Sequence, residues 1–182
     1  MAVRDLSSFQ WDRRIQISER EPPTRIAPYA AALDADIVNE QRDVASGRLI
    51  LLHNPQGDES WGGDFRCVTF AQASVGPDMI HDPFLSHVGW SWLIDALDTC
   101  GASYSAESGT VTTTFSTPFG TKEAEAQSSQ IEMRASWTAL LDDDHSLTAH
   151  LKAWQELLRE LAGIPPEHDT VIPLAMRTAG RK

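Results

Sequence analysis

Basic residues, cysteine and long apolar runs are all scarce in this 182-residue chain. Fifteen Lys and Arg stand against 26 Asp and Glu, a formal net charge of −11. Nucleic-acid affinity comes mostly from cation–phosphate contacts, so direct nucleic-acid binding is not expected. The only cysteines, Cys67 and Cys100, lie far apart and match no Cys-x-x-Cys or zinc spacing, so they read as reduced core residues of a cytosolic protein. No stretch approaches the ~20 apolar residues of a membrane helix, and Met1-Ala2-Val3-Arg4-Asp5-Leu6 has no signal-peptide core. There is no glycine-rich phosphate loop and no internal repeat. The expectation is a cytoplasmic protein with no cofactor, no metal and no membrane association.

At 41% hydrophobic, the chain has enough apolar residues for one globular core. It reads as a polar lead-in over residues 1–12, a single domain over 13–166 and a tail over 167–182. Ile15 and Ile17 alternate with polar neighbours over 13–19, the period of a half-buried strand. Residues 28–39 suit either a helix, through Tyr29, Leu33 and Ile37 and the alanines, or a strand, through Tyr29, Ala31, Leu33, Ala35 and Ile37. The turn signals on both sides favour the strand. Residues 49–52 form an apolar strand, and a loop over 54–63 returns into a strand over 65–75. Asp82-Pro83 looks like an N-cap and first residue of a helix over 83–99 that Gly101 ends. Strands follow at 111–115 and 130–139. Leu147, Leu151, Trp154, Leu158 and Leu161 then mark a helix, with Asp142-Asp143-Asp144 at its start and Gly163 at its end. This order, strands, helix, two strands, helix, predicts an α+β fold in which two helices cover one face of an antiparallel meander.

The first helix has more aromatic surface than one sheet can cover. Trp90, Leu93, Ile94 and Leu97 share one flank and Leu85, Val88, Trp92 and Ala96 the other, with the two indoles about 200° apart. Either Trp92 packs on the sheet and Trp90 on the final helix near Trp154, or one indole, alone or with Trp61, forms a partner-binding patch. A pocket lined by indoles is a third reading. Arg134, on a strand close to Trp137, reads as an exposed residue paired across the strands with a glutamate or, beneath a loop, as one that pairs bidentately with a carboxylate or stacks on an indole.

Catalytic patterns are incomplete. Gly89-Trp90-Ser91-Trp92-Leu93 begins like a nucleophile elbow but lacks the second glycine and lies in a predicted helix. Asp78, His81, Asp82 and His87 have no usual metal spacing. Asp58, Glu59 and Asp64 lack the pattern of a calcium loop. Cys100, at a helix C-terminus, is poorly placed to become a thiolate. Two functions are therefore carried forward. One is a non-enzymatic protein-binding or adaptor module, or a homodimer, with Trp90, Trp92, Trp61, Arg134 and Trp137 as candidate interaction residues. The other is a small-molecule-binding protein or hydrolytic enzyme with a pocket near Ser91, His53, His81 or Arg134. Between Cys67 and Met133 the only basic residue is Lys122, against eight acids, a distribution that permits a basic partner.

The blocks Arg25-Ile26-Ala27-Pro28-Tyr29-Ala30, Gly47-Arg48-Leu49-Ile50-Leu51-Leu52-His53, Phe65-Arg66-Cys67-Val68-Thr69-Phe70, Gly89-Trp90-Ser91-Trp92-Leu93 and Arg134-Ala135-Ser136-Trp137-Thr138 resemble the actinobacterial family called domain of unknown function three thousand. The resemblance spans roughly residues 13–166 and implies a single-domain cytoplasmic protein with no established catalytic or cofactor-binding residues. Genes of that family often neighbour one for a ribonuclease D-type exonuclease, which implies a link to RNA metabolism through a partner. The element order also resembles the secretion-chaperone-like fold, whose members bind proteins, often as dimers.

Overall fold

The alternation of apolar and polar residues becomes six antiparallel strands in a computed structural model that describes residues 5–6, 8–39, 42–76, 79, 82–142 and 145–164. The strands are β1 (Ile15–Arg20), β2 (Tyr29–Asn39), β3 (Arg42–Asp58), β4 (Gly63–Ser74), β5 (Tyr104–Ser116) and β6 (Ser128–Ala139), in the spatial order β1-β2-β3-β4-β6-β5. Helix α1 (Leu85–Thr99) connects β4 to β5, and α2 (Leu147–Leu161) follows β6. The α+β class and the strand–helix order agree with the sequence reading. His81, Asp78, Asp143, Asp144 and residues 167–182 lie outside the described residues.

Residues 28–39, open to two readings, form a strand because Leu33, Ala35 and Ile37 stand opposite Leu49, Gly47 and Ala45 on β3 and enter the core beside them. The β3–β4 hairpin runs further than expected. Asn54 and Pro55 sit in an irregularity between the pairs His53↔Phe65 and Asp58↔Gly63, where a proline does not interrupt the ladder. The turn itself occupies residues 59–62, with the Asp58 carboxylate accepting from the Ser60 N–H. β5 also starts earlier than expected, at Tyr104.

Both helix starts differ from expectation. α1 begins at Leu85, and Asp82 accepts from the Phe84 N–H in the turn before it instead of capping the helix. Asp142 likewise precedes α2 and accepts from the His145 N–H. The helix ends agree. Gly101 and Gly163, at φ of 69° and 63°, take the left-handed conformation that lets the next residue bond back, Ala102 N–H to the Leu97 carbonyl and Ile164 N–H to the Arg159 carbonyl.

Both helices lie on the same face of the sheet and approach it through glycines. A Cβ on Gly47 of β3 would come within 2.6 Å of Leu158 and 3.3 Å of Trp154, and one on Gly109 of β5 within 2.8 Å of Trp90. A Cβ on Gly89 of α1 would lie 2.9 Å from Ile131. Each helix thus rests an indole over a gap in the sheet. Trp137 and Trp154 are fully buried, each removing roughly 4–6 kcal/mol worth of apolar surface from water before entropy is counted. Their ring nitrogens are satisfied inside the core, Trp154 Nε1 donating to Thr69 Oγ1 at 2.9 Å and Trp137 Nε1 to His150 Nδ1 at 3.1 Å. The lead-in is tied to α2. Trp11 meets Trp154 edge-on at 5.6 Å, and the Asp12 N–H donates to Gln155 at 2.8 Å.

Candidate functional site

With both helices on one face, the opposite face of the sheet has no helix over it among the described residues. Strand alternation sends Ala32 and Asp34 of β2, Arg48, Ile50 and Leu52 of β3, Arg66, Val68 and Phe70 of β4, and Glu132, Arg134 and Ser136 of β6 to that side. Its centre is apolar. Ile50, Val68 and Phe70 are half-buried, while Ala32 and Leu52 are buried outside the main core. Phe70 stands between Arg48 and Arg134 in register, and the Arg134 guanidinium lies 5.6 Å from its ring centre.

Four arginines ring this centre. Arg20 and Arg48 both bond Asp34, at 2.6 and 2.7 Å, and hold its carboxyl below the usual carboxylate range. Arg134 pairs with Glu132 at 2.8 Å. Arg66 differs from these three, because its partners among the described residues are all neutral oxygens. Nη1 donates to the Ala106 carbonyl at 2.8 Å and the Thr138 hydroxyl at 3.0 Å, and Nη2 to Ser136 at 2.7 Å and Ser108 at 3.3 Å. Burial draws its pKa downward. Ala106, in a bulge of β5 between Ser105 and Ser108, is the one non-glycine among the described residues with positive φ, at 51°. A strained residue of this kind costs about 1–3 kcal/mol, and here it aims a carbonyl at the guanidinium.

The sequence-predicted residues divide between the two sides of the sheet. Arg134 is on the uncovered face and 69% exposed. The turn carrying Trp61 bends onto the same face, where the Trp61 carbonyl accepts from Thr138. Trp137, proposed for interaction, is in the core at 0% exposure and offers no surface to a partner. Trp90 lies over Gly109 and borders a hollow with His87 and Val111, which places it against β5, where one of the sequence readings had put it on the final helix near Trp154. Trp92 is half-buried on the other flank of α1 and packs on the core. A helical wheel says which residues share a flank but not which flank meets the sheet, so the side taken by Trp90 could not be read from it.

The hydrolytic set does not assemble among the described residues. Ser91 is on the exposed side of α1 and donates to the Val88 carbonyl at 2.8 Å. His53 stacks flat on Phe65 at 4.0 Å near one end of the sheet. Arg134 points from the opposite face. The thiol of Cys67 is pushed up to about 12 by burial, and that of Cys100 is raised by burial and then by Glu156. Among the described residues no three His, Cys, Asp or Glu side chains gather as a metal site, and no helix is long and apolar enough to cross a membrane.

Sequence reasoning passed over Arg66, Ser108 and Ser136. Arg66 and Ser136 fall within the blocks that carry the family resemblance, yet nothing in those blocks says that they share a face. The acids between Cys67 and Met133 also disperse. Asp95 and Asp98 are exposed on α1, Glu107 falls in the β5 bulge, and Glu132 joins this face.

Fold and site together define an α+β protein whose antiparallel sheet has one face under two helices and, among the described residues, no helix over the other, where the loop after β1 borders Ala32, Arg48 and Ile50. The chain belongs to the family described as protein of unknown function (DUF3000), whose profile matches residues 1–171. No curated protein and no solved structure matches it, so the likeness to secretion chaperones carries no further argument.

Proposed function

We propose that this is a non-enzymatic, cytoplasmic protein-binding module that takes an extended segment of a partner along β5, at the margin of the uncovered face. The observation that carries this reading is the edge itself. β5 is 13 residues long, pairs with β6 on one side and has no strand on its other side among the described residues. Natural edges are usually blunted by lysine, proline or brevity. β1, the other edge, is six residues long and ends in Glu19 and Arg20. From Ser108 to Ser116, by contrast, β5 is Ser-Gly-Thr-Val-Thr-Thr-Thr-Phe-Ser, regular, uncharged and exposed except for Val111. A strand added there gains main-chain hydrogen bonds, and side chains on the neighbouring face supply selectivity.

The separation of Ser91, His53 and Arg134 argues against the hydrolytic reading. A role in RNA metabolism, implied by the family resemblance, then runs through the docked protein, since a chain of net charge −11 is repelled by a polyphosphate. The test is a photo-crosslinking amino acid placed in cells at Thr112 of β5 or, separately, at Asp95 on the exposed side of α1. The proposal expects a protein adduct from position 112 and none from 95, with the adduct's mass telling a second copy from another protein. Adducts from 95 alone, or none from 112, would overturn it.

A further inference from the structure

We infer that Arg66, together with the Ser108 and Ser136 hydroxyls, forms a site for one oxyanion, a carboxylate or phosphate group carried by the segment that docks along β5. This rests on the strand-docking reading for the source of the ligand, but the site can be examined without the partner. Three features of the geometry support it. The first is charge without a carboxylate partner: Arg20, Arg48 and Arg134 on this face have carboxylate partners, whereas among the described residues Arg66 meets only the Ala106 carbonyl and three hydroxyls.

The second is a set of donors. Ser108 and Ser136 accept from the guanidinium, so their own hydrogens are directed elsewhere. Their oxygens are 3.4 Å apart, so even when one donates to the other a hydroxyl hydrogen remains for a ligand. The Arg66 Nε–H also bonds no acceptor among the described residues. A charged donor beside hydroxyls suits a carboxylate or phosphate oxygen, because charge-assisted bonds are about twice as strong as neutral ones.

The third is position. Ser108 is the first regularly paired residue of β5 after the bulge, directly opposite Ser136. A strand laid on the β5 edge would pass beside this point. A shallow depression of about 420 Å³ opens beside it, with Ser108, Ser136 and Arg134 but not Arg66 in its wall. The exposed Arg134 guanidinium stands two residues from Ser136 on the same face of β6. Recognition of a single acidic group by one uncompensated arginine also fits a chain too acidic to hold a polyanion.

The experiment is a two-dimensional NMR titration of the full chain with sodium phosphate and, separately, sodium acetate, at ionic strength fixed with sodium chloride. The signals followed are the Arg66 Nε–H and the Ser108 and Ser136 amides. Saturable shifts centred on these three, at least tenfold weaker in Arg66→Gln and several-fold weaker in Ser136→Ala, are expected. Ser136→Ala keeps the arginine in place, so it preserves the test if Arg66→Gln does not fold. Tighter phosphate binding assigns a phosphorylated segment, and tighter acetate binding an acidic one. The inference is overturned by shifts that do not saturate, that chloride alone reproduces, or that persist in both variants. It is also overturned by a ten-residue oligothymidylate that binds at these signals more tightly than phosphate, with a salt slope of several charges. A saturable site without a β5 cross-link would sink the docking reading alone, and a β5 cross-link without a saturable site would sink this inference alone.

Discussion

Replacing Gly109 with alanine puts the contact between α1 and β5 to a quantitative test. In a regular strand with φ in the ordinary range, glycine to alanine stabilises by about 0.4–1 kcal/mol through the unfolded chain. Here the new Cβ would run into the Arg134 carbonyl oxygen and lie 2.9 Å from the Ala135 Cα and 2.8 Å from the Trp90 ring. Two of those three contacts are with the backbone of β6, so moving the indole relieves only part of the clash and the strands themselves must part. Overpacking costs about 1–3 kcal/mol. The backbone contacts place Gly109→Ala near the top of that range, a fall in Tm of roughly 6–12 °C at about 2–4 °C per kcal/mol for a chain of this size. Gly47→Ala is the comparison, because its Cβ would meet only side-chain atoms, of Leu158 and Trp154, and should cost about 1 kcal/mol. Urea melts of the two variants, and of Gly109→Ala combined with Trp90→Ala, would measure this. Gly109→Ala equal in stability to the parent, or fully rescued by Trp90→Ala, would refute the backbone argument.

Two further predictions concern pH. His150 is buried, and burial pulls its pKa from 6.5 down to about 4. Its Nδ1 accepts from Trp137, so the neutral ring carries its proton on Nε2. The unfolded chain protonates first, so this stability is complete above about pH 6.5 and declines as pH falls towards 4, by about 3 kcal/mol in all. Denaturant melts between pH 4 and 7 should show a slope that His150→Leu removes. Asp12 has its pKa lowered to about 2, chiefly by hydrogen bonding from Arg14, with the attraction of Arg159 added. Its contribution, about 2 kcal/mol, is present above pH 4 and lost as pH falls through 2. Asp12→Asn should therefore lower stability at pH 7 while losing nothing further at pH 2, a comparison that acid-series calorimetry makes directly.

How much of this was legible in the sequence depended on what each residue's pattern encodes. α2 could be read because Leu147, Leu151, Trp154 and Leu158 repeat along one buried stripe, and the Phe65–Ser74 stretch of β4 because burial alternates residue by residue there. The first half of β5 gave no such signal. An edge strand of serine, threonine and glycine with one side chain facing the core does not alternate in hydrophobicity, so only its β-branched second half was visible. Pro55 hid the far end of β3, since a proline reads as a stop unless the ladder already shifts at that point. The candidate site was less legible still. Arg66, Ser108 and Ser136 come from three strands, and they meet only because β6 inserts between β4 and β5, a topological fact that no local pattern carries.

The central claim, that β5 offers an open edge, is most directly tested by residue-resolved amide hydrogen exchange on the isolated full chain. In an antiparallel pair, alternate N–H groups point to the partner strand and away from it. The account predicts that from Ser108 to Ser116 amides directed at β6 are protected while their alternates exchange at nearly the rate of an unstructured chain, with β4 and β6 protected throughout. Uniform protection along β5 would mean that the edge is already occupied, and would contradict the account.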